Sequence, residues 1–284
     1  WISRYHVLLD AHDDVKKFFP NVFSILDTVD LHYLRLQRSA RVDGKNRLNA
    51  DRVRVAELRA ADLADMVVVV QDDEKRTLIN EGIPSSKIQV VSNIHSSRAR
   101  NSISRSGLVF VGSFLHHPNI QGIDWFISEV VPLLDPRILR DGVQVVGQRP
   151  DLLSARAPTG VHLIGWVEDS FPIVGAARVS VAPLLAGAGI KGKVGEAIEA
   201  GTPIVGTTIA FEGTGLTSGE SCLVADNAEG FARAVNSLYF DDERIDQMAT
   251  LSSRIFLEKF SRTSAQKVLE KIFSVSNLRE SSSR

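Results

Sequence analysis

The segment VSVAPLLAGAGIKGKVGEAIEAGTPIVGTT, residues 179–208, is the most informative part of this chain about its fold. An apolar run, a glycine-rich loop, a helical pattern and a second apolar run follow one another, which predicts a strand, a loop, a helix and a strand. That succession is one βαβ unit of a parallel sheet. The loop at 187–193 comes directly after a strand, and open α/β sheets bind ligands outside the carboxyl ends of their strands.

The rest of the chain repeats this alternation. Apolar runs predict strands at 22–28, 66–71, 88–93, 108–113, 143–148, 162–166, 179–185, 202–208 and 222–225. Helical patterns lie between them at 47–64, 73–81, 119–134, 168–176, 192–200, 227–239 and 241–273. Several of the strands are apolar throughout, as expected where both faces of a sheet are covered. We therefore predict an α/β fold with parallel sheets.

A polar segment at 95–107 divides the chain. It shows neither a helical nor a strand period, which predicts an interdomain linker. The expected parts are an incomplete N-terminal domain at 1–98, a C-terminal domain at 99–265, and a helix end with a disordered tail at 266–284. Residues 1–94 supply only about three predicted strands, and a doubly wound domain needs more. Because the chain also begins at Trp1, we expect that it is a fragment of a larger protein.

Composition excludes several classes of protein. The 284 residues are 44% apolar, and 33 basic against 34 acidic side chains leave a net charge of −1. No global field therefore attracts nucleic acid, and any anion site has to be local. The longest apolar runs are far shorter than the ~20 residues that span a bilayer. A single cysteine, Cys222, excludes an internal disulfide framework and a zinc cluster. We expect a cytoplasmic protein, with peripheral attachment to the inner face of a membrane as a variant of that location.

The loop Gly187-Ala188-Gly189-Ile190-Lys191-Gly192-Lys193 has the composition of an anion site. Glycines let the backbone approach a ligand closely, and the start of the following helix presents free N–H groups and the positive end of its dipole. Lys191 and Lys193 add full charges, which suits a diphosphate. The alternative is that both lysines are solvated residues, although a helix start disfavours cations unless an anion is present.

Two glutamates lie on the helix that follows the loop. Val194, Ala197 and Ile198 have helical spacing and are expected to face the sheet, which places Glu196 and Glu199 on the other side. Glu196 is in the first turn, where its carboxylate can accept hydrogen bonds from two ribose hydroxyls; the alternative is a favourable interaction with the helix dipole alone. For Glu199 we expect a solvated side chain.

The pattern GxGIKxKxxEAxxxGxPIVxT, followed by EG at 212–213 and GESCLVADNAEGFARAV at 219–235, resembles a known family. It is similar to the C-terminal domain of the retaining glycosyltransferases called group 1, or family 4, which have the GT-B fold of two Rossmann-like domains. The stretches 108–134, 143–150 and 160–184 resemble preceding blocks of that domain in the same order. Weaker resemblance extends upstream through ILDTVDLHYLR (25–35), Glu57 and ADLADMVVVVQDDEKRTL (61–78).

The resemblance implies roles for individual residues. Glu196 corresponds to the second glutamate of the family's E-x7-E motif, which binds the donor ribose. The first glutamate would fall at Ala188, so the motif is incomplete, and contacts to the sugar are expected from loop amides of Gly187, Ala188, Gly189 and Ile190. Lys193, with Lys191 as a second candidate, corresponds to the base that neutralises the diphosphate.

Further correspondences complete the predicted donor site. Gly112 and Ser113 correspond to a glycine loop over the diphosphate, although the basic residues that many members carry after this loop are replaced by HHPNIQG. Trp166, Val167 and Glu168 correspond to one side of the base, and the stretch from Gly147 to Arg149 to the other. Trp166 is equally well interpreted as an ordinary core or surface aromatic residue.

His32 is the predicted catalytic residue. It corresponds to a region where family members place a polar residue facing the donor sugar, with Asp27 and Asp30 either orienting it or capping the strand end. A lone histidine is more often structural, and His12, His95, His116 and His117 compete for the role.

The implied activity is transfer of a hexosyl group from a nucleoside diphosphate sugar to an acceptor hydroxyl with retention of configuration, in glycan or polysaccharide biosynthesis. The fold performs this with lysine and helix dipoles, so we expect no cofactor and no metal. The expected partners are the nucleotide-sugar donor and an unidentified glycan, lipid-linked or protein acceptor. Closure of the domains about the linker would exclude water.

Three alternatives stay open. Gly187, Gly189 and Gly192 spell GxGxxG after a strand, with Glu212 about twenty residues on, which is the fingerprint of an NAD-dependent oxidoreductase. A nucleotide-sugar epimerase or a phosphorylase shares the two-domain form. A degenerate module that binds a nucleotide or a partner without turnover also fits, because Ala188 replaces a glutamate.

Overall fold

In the computed structural model the described residues are 1–43, 47–95, 105–187 and 191–282. They form two compact units. Unit 1 comprises 1–94 and 260–284, and unit 2 comprises 95–259. The chain therefore passes between the units twice, whereas the sequence analysis expected one crossing within 95–107 and a boundary at 98.

Unit 1 is a parallel four-stranded sheet with helices on it. Its strands, in the order β1-β2-β3-β4, are β1 (Ile2–Ser3), β2 (Ile25–Asp27), β3 (Met66–Val69) and β4 (Ile88–Val90). Its first helices are α1 (Tyr5–Phe18), α2 (His32–Asp43), α3 (Arg47–Leu63) and α4 (Asp72–Asn80), with a 3-10 turn at Ser85–Lys87. Strand β3 is buried along its whole length, which explains its uninterrupted apolar sequence.

Two helices of unit 1 differ from the sequence prediction. Neither α1 nor α2 was expected, because charged residues interrupt the apolar spacing of both segments. Helix α1 buries only Leu8 completely and leaves Val7 and Phe18 exposed, so its amphipathic signal is weak. Asp13 and Asp14 lie in the middle of α1.

Unit 2 is a parallel six-stranded sheet in the order β10-β9-β8-β5-β6-β7. The strands are β5 (Leu108–Val111), β6 (Val143–Val146), β7 (Val161–Gly165), β8 (Val179–Ala182), β9 (Ile204–Gly206) and β10 (Leu223–Val224). The helices are α5 (His117–Trp125), α6 (Pro136–Asp141), α7 (Phe171–Ala176), α8 (Gly192–Glu199), α9 (Ala228–Tyr239) and α10 (Asp242–Phe260). Shorter turns lie at Phe126–Val130 (π-helical) and, as 3-10 helices, at Val131–Leu133, Pro150–Leu152 and Thr208–Phe211.

The strand order of unit 2 reverses next to β5. From β5 the chain adds β6 and β7 on one side, and then returns to place β8, β9 and β10 on the other. This reversal is the topological switch point at which open α/β sheets leave a crevice at the carboxyl edge. All nine predicted strands of the chain are present, so the expectation of an α/β fold with parallel sheets is confirmed.

The chain ends in helix α11 (Arg262–Ser282), which belongs to unit 1. Its Ile272 is 1% exposed and packs with Ile25, Met66 and Val68 on the sheet. We expected disorder in this tail because its last nine residues, 276–284, are polar or charged apart from Leu278. The structure has helix as far as Ser282, and residues 283–284 lie outside the described part of the chain.

The core of unit 2 contains an aromatic group at Phe231. Its ring meets Trp125 at 5.7 Å and Phe126 at 5.8 Å between centroids, both in edge-to-face geometry, and Phe231 is fully buried. This group fixes α9 against the helical stretch that begins with α5.

We expect Phe231→Ala to lower the free energy of unfolding by about 3–5 kcal/mol, because it removes a large side chain from a packed core. Phe240→Ala is the matched control, since Phe240 is 43% exposed and contacts Arg137 at the surface. Its cost should stay near 1 kcal/mol or below. Urea unfolding of both variants measures the difference, and equal losses would contradict this account of the core.

Candidate functional site

The candidate site lies at the carboxyl edge of the unit 2 sheet. The loops that follow β5 and β8 meet there on the two sides of the switch point, and the loops after β6 and β7 extend the same edge. These are the loops that carry the predicted donor-binding residues. All of these loops belong to unit 2.

Two glycines let the loops after β5 and β6 touch through their backbones. A Cβ on Gly147 would lie 1.9 Å from the carbonyl oxygen of Gly112, and a Cβ on Gly112 would lie 2.8 Å from Nδ2 of Asn119. A side chain at Gly147 would push main chain apart, and one at Gly112 would displace the Asn119 side chain, so close approach requires glycine at both positions. The two loops therefore meet through main chain that carries no side chain, a feature of phosphate-binding surfaces.

Ser113 is held by polar contacts from two directions. Its hydroxyl oxygen accepts a hydrogen bond from Nε2 of Gln148 at 2.9 Å, and its carbonyl oxygen accepts one from Nδ2 of Asn119 at 2.8 Å. Asn119 is 8% exposed and lies in the first turn of α5. These contacts fix the glycine loop before any ligand binds.

Lys193 lies in the first turn of α8 with its ammonium group largely enclosed. Nζ donates to Oδ1 of Asn119 at 2.6 Å and lies 5.0 Å above the centre of the Phe110 ring. Burial lowers the pKa of Lys193 to about 7, and the positive charge of Lys191 contributes to the shift. In the described part of the chain no carboxylate forms an ion pair with this ammonium. The charged form of Lys193 is therefore poorly compensated, which is the condition that a bound anion would relieve.

Lys191 differs from Lys193 in its surroundings. It is 9% exposed, and its Nζ lies 3.9 Å from Oε2 of Glu212. The two predicted phosphate-binding lysines are thus not equivalent, because Lys191 has a carboxylate nearby. Glu212 is also the residue that the dinucleotide fingerprint would assign to a ribose, and here it lies beside this lysine.

The glycine-rich loop at 187–193, which follows β8, is described only in part. Gly187 has a left-handed backbone with φ 144°, and a Cβ there would lie 3.3 Å from Cε of Lys191. The predicted contacts of Ala188, Gly189 and Ile190 with a donor sugar fall outside the described residues.

Glu196 and Glu199 have different partners on α8. The hydroxyl of Ser170, just before α7, donates to Oε1 of Glu196, so this carboxylate is oriented toward the loop after β7. The prediction of a solvated Glu199 is wrong, because its carboxylate lies 3.1 Å from Nδ1 of His95 and its side chain is only 15% exposed. Val194, Ala197 and Ile198 are buried against the sheet, as their spacing predicted.

The residues predicted to flank a base lie on two neighbouring loops. Trp166 is 70% exposed and follows β7, Val167 is half-buried, and Glu168 is exposed. Arg149 has a left-handed backbone, and its guanidinium makes a two-pronged pair with the Asp151 carboxylate. The backbone link from Gly147 N–H to the carbonyl oxygen of Gly165, at 2.8 Å, holds the two loops together. Trp166 is therefore a surface ring and not a core residue.

His32 belongs to unit 1, where it begins α2. Its backbone N–H donates to Oε1 of Glu57 at 2.9 Å, and that of Tyr33 donates to Oε2 at 3.0 Å. Burial lowers the pKa of the His32 imidazole, with the positive charge of Arg35 adding to the effect, so the ring is neutral at physiological pH. The role of His32 toward a donor sugar stays a prediction.

The predicted partners of His32 have other tasks. Asp27 accepts from the N–H of Val29, and Asp30 pairs with Arg35 at 2.9 Å. Val29 has φ 64°, which a β-branched residue seldom adopts, so the turn before His32 is strained.

Buried carboxylates hold that turn, and sequence reasoning did not identify their function. Glu57 is 5% exposed and Glu74 2% exposed, and Glu74 accepts from the N–H groups of Leu31 and Val70. Burial raises the pKa of each glutamate to about 7. In the sequence, both glutamates lie in helical patterns and look like ordinary surface residues. Only the tertiary structure identifies them as buried. Asn119 was missed for the same reason.

Neither a metal-binding group nor a membrane-spanning helix is found among the described residues. No group of three or more His, Cys, Asp or Glu side chains there is placed to hold a metal ion. Among the same residues, no helix combines the length and the apolar character needed to cross a membrane.

Comparison with known proteins identifies the class to which this architecture is similar. Residues 105–241 match the family model of the glycosyl transferases group 1. The chain is 27% identical over 176 residues to an uncharacterized 44.6 kDa protein in the cps region of Klebsiella pneumoniae. That match covers 53% of this chain and 45% of the relative, so this chain matches a little under half of the relative's length.

Solved structures show the same fold. HepE of Anabaena, in complex with UDP-glucose, aligns with a TM-score of 0.66 at 15% identity over 95% of this chain and 77% of HepE. A TarM variant of S. aureus, in complex with fondaparinux, alpha-GlcNAc-glycerol and UDP, aligns with a TM-score of 0.65 at 14% identity over 80% of this chain and 46% of TarM. The chain thus has the GT-B architecture of glycosyltransferases with two Rossmann-like domains.

The surroundings of Lys193 predict a pH dependence of stability. Its pKa in the folded protein, about 7, is lower than the value of about 10.5 for an unperturbed lysine. Between these values the unfolded chain binds a proton that the folded chain does not, so the stability contribution of this residue rises with pH from 7 to 10. Compared with Lys193→Met, the parent protein should therefore gain stability over that window. Urea unfolding of both proteins at pH 7, 8, 9 and 10 tests this, and a constant difference would show that Lys193 titrates normally.

Proposed function

We propose that this protein is a retaining glycosyltransferase that binds a nucleoside diphosphate sugar at the carboxyl edge of the unit 2 sheet and transfers the sugar to an acceptor hydroxyl. The observation that carries the proposal is the Lys193 ammonium. It is enclosed at the start of α8, beside backbone that two glycines keep bare, with a neutral amide as its hydrogen-bond acceptor. An arrangement of this kind is costly without an anion and favourable with one.

The diphosphate would occupy the space between the 112–113 loop and the start of α8. Lys193 supplies charge there, and the first N–H groups of the helix supply donors and the positive end of the dipole. During transfer, negative charge grows on the departing diphosphate, and these fixed groups would stabilise it without reorganising. Lys191 is a weaker candidate, because Glu212 already offsets part of its charge.

The nucleoside would extend along the loops after β6 and β7. Glu196 would accept hydrogen bonds from ribose hydroxyls, and the contact that supports this role is the Ser170 hydroxyl, which orients one of its carboxylate oxygens. The exposed Trp166 ring offers a stacking surface for the base, with Val167, Gly147 and Arg149 around it. The complexes of HepE with UDP-glucose and of TarM with UDP support uracil as the first base to test.

His32 is assigned to the transferred sugar on the resemblance alone. A neutral imidazole donates or accepts a hydrogen bond without adding charge, which fits contact with a sugar hydroxyl. The loop amides of Gly187, Ala188, Gly189 and Ile190 would complete the sugar contacts. Independence from a divalent metal, cytoplasmic location and a part in polysaccharide assembly belong to this proposal as well.

A nucleotide-binding module without turnover is the second candidate function. It rests on Ala188, which stands where the resemblance places a glutamate that contacts the sugar. Slow hydrolysis of UDP-glucose or UDP-GlcNAc by the protein would favour the enzyme. Binding of UDP without release from any sugar nucleotide would favour the module, and binding of NAD with no binding of UDP, GDP or dTDP would exclude both.

Lys193→Ala should weaken UDP binding by about 1.5–3 kcal/mol, the usual size of a charge-assisted hydrogen bond, and leave uridine binding nearly unchanged. The pKa of Lys193 in the unliganded protein is about 7, and a diphosphate favours the charged form of this lysine. The parent's UDP affinity should therefore fall as pH rises above about 7. The variant should lack this fall. Calorimetric titration with both ligands at pH 7, 8 and 9 measures it, and equal losses for UDP and uridine would assign the lysine to folding instead.

Glu196→Gln separates the ribose contact from the helix dipole. If the carboxylate binds ribose hydroxyls, the change should cost on the order of 1–3 kcal/mol in UDP affinity with little loss of stability. The dipole alternative predicts the opposite, a stability loss of about 0.3–1 kcal/mol with binding intact.

A 2′-deoxy nucleotide is the internal control for this variant. The ratio of UDP affinity to 2′-deoxy-UDP affinity should be larger for the parent than for Glu196→Gln. The reason is that the variant makes a weaker hydrogen bond to the 2′-hydroxyl, so removing this hydroxyl costs it less affinity. Identical discrimination by both proteins would remove Glu196 from the ribose site.

A further inference from the structure

His95 contacts helix α8 on the side away from the candidate phosphate site. Nδ1 of His95 lies 3.1 Å from Oε1 of Glu199, so the ring donates to that carboxylate. The same ring covers Gly195 so closely that a Cβ there would lie 2.3 Å from Cε1. Gly195 follows Lys193 by two residues, about 200° around the helix, so His95 does not share a face with Lys193.

His95 also connects the two places where the chain passes between the units. It is the first residue of unit 2, directly after the first crossing at 94/95. Its ring packs on Phe256 at 4.9 Å between centroids, and Phe256 lies four residues before Phe260, where the second crossing occurs. Both crossings are thereby fixed to α8 through one imidazole.

The carboxyl end of α8 is held from the other end of the predicted linker. The Arg105 guanidinium donates to the carbonyl oxygen of Gly201 at 2.6 Å and to that of Ala200 at 3.3 Å. A cation at this position satisfies the terminal carbonyl groups and the negative end of the dipole. The residues that bracket 96–104 are therefore both attached to the helix whose start carries Lys193.

We propose that His95 is a positioning residue for α8, so that nucleotide binding at the start of this helix and the packing of His95 at the chain crossings are energetically coupled. The inference rests on the proposed function, since it takes the start of α8 as the diphosphate site. Helix α8 is only eight residues long, so its start cannot shift independently of Gly195 and Glu199. Coupling of this kind is reciprocal: if His95 sets UDP affinity, UDP must alter the environment of His95.

The test uses the full chain and three variants. His95→Ala removes the ring, and Gly195→Ala places a methyl group where the ring now packs. His162→Ala is the matched control, because His162 lies near the amino end of β7, beside Gly142, and away from the carboxyl edge of the sheet. UDP affinity is measured by calorimetry at a temperature where circular dichroism shows each protein folded. The histidine ring signals of the parent are followed by NMR during UDP titration, with the His95 signal assigned from its loss in His95→Ala.

We expect His95→Ala and Gly195→Ala to bind UDP at least about fivefold more weakly than the parent, and we expect His162→Ala to bind UDP as the parent does. The His95 signal of the parent should shift in proportion to UDP occupancy, a response that a merely structural residue would not show. Parent-like UDP affinity in Gly195→Ala, or a His95 signal that stays fixed while UDP binds, would overturn the coupling. If the parent binds none of UDP, GDP and dTDP, the proposed function fails together with it, and that outcome is distinct from UDP binding without a response at His95.

Discussion

The enclosure of one ammonium group, that of Lys193, is the constraint on which the candidate site depends. An amino group in this position loses most of its hydration, and the Asn119 amide and the Phe110 ring replace only part of it. Such a residue opposes its own charged form, as the lowered pKa shows. Strong perturbation by burial, at the carboxyl edge of a parallel sheet, is characteristic of a functional group and not of a stabilising one.

The surroundings of Lys193 are built to keep it there. Gly112 and Gly147 bring two loops into backbone contact, and Asn119 joins the first of these loops to the ammonium. On the other side, α8 is packed on the sheet through its apolar face and held at its far end by His95 and Arg105. The described walls of the candidate site are therefore held by contacts within the protein, which would lower the ordering cost of binding a ligand.

Unit 1 shows a second pre-organised turn with a different design. Glu57 and Glu74 are buried without an ion pair to a basic side chain among the described residues. Glu57 accepts the N–H groups of His32 and Tyr33, and Glu74 accepts those of Leu31 and Val70. The strained backbone at Val29 therefore lies directly before a segment that these carboxylates fix at residues 31–33.

Local sequence patterns were enough to predict nine of the ten strands that the described residues form, the parallel α/β class and the position of the 187–193 loop. Those features follow from local periodicity and from glycine, which act over a few residues. Helices α1 and α2 were not predicted because the apolar spacing of their sequences is incomplete. The partners of Lys193, Glu196 and Glu199 were not predicted because they are distant in sequence. Asn119 lies 74 residues from Lys193 and His95 lies 104 residues from Glu199. The fold determines which of two similar lysines has a carboxylate nearby and which contacts a neutral amide and an aromatic ring. Charge pairing depends on what the fold brings together and not on residue type.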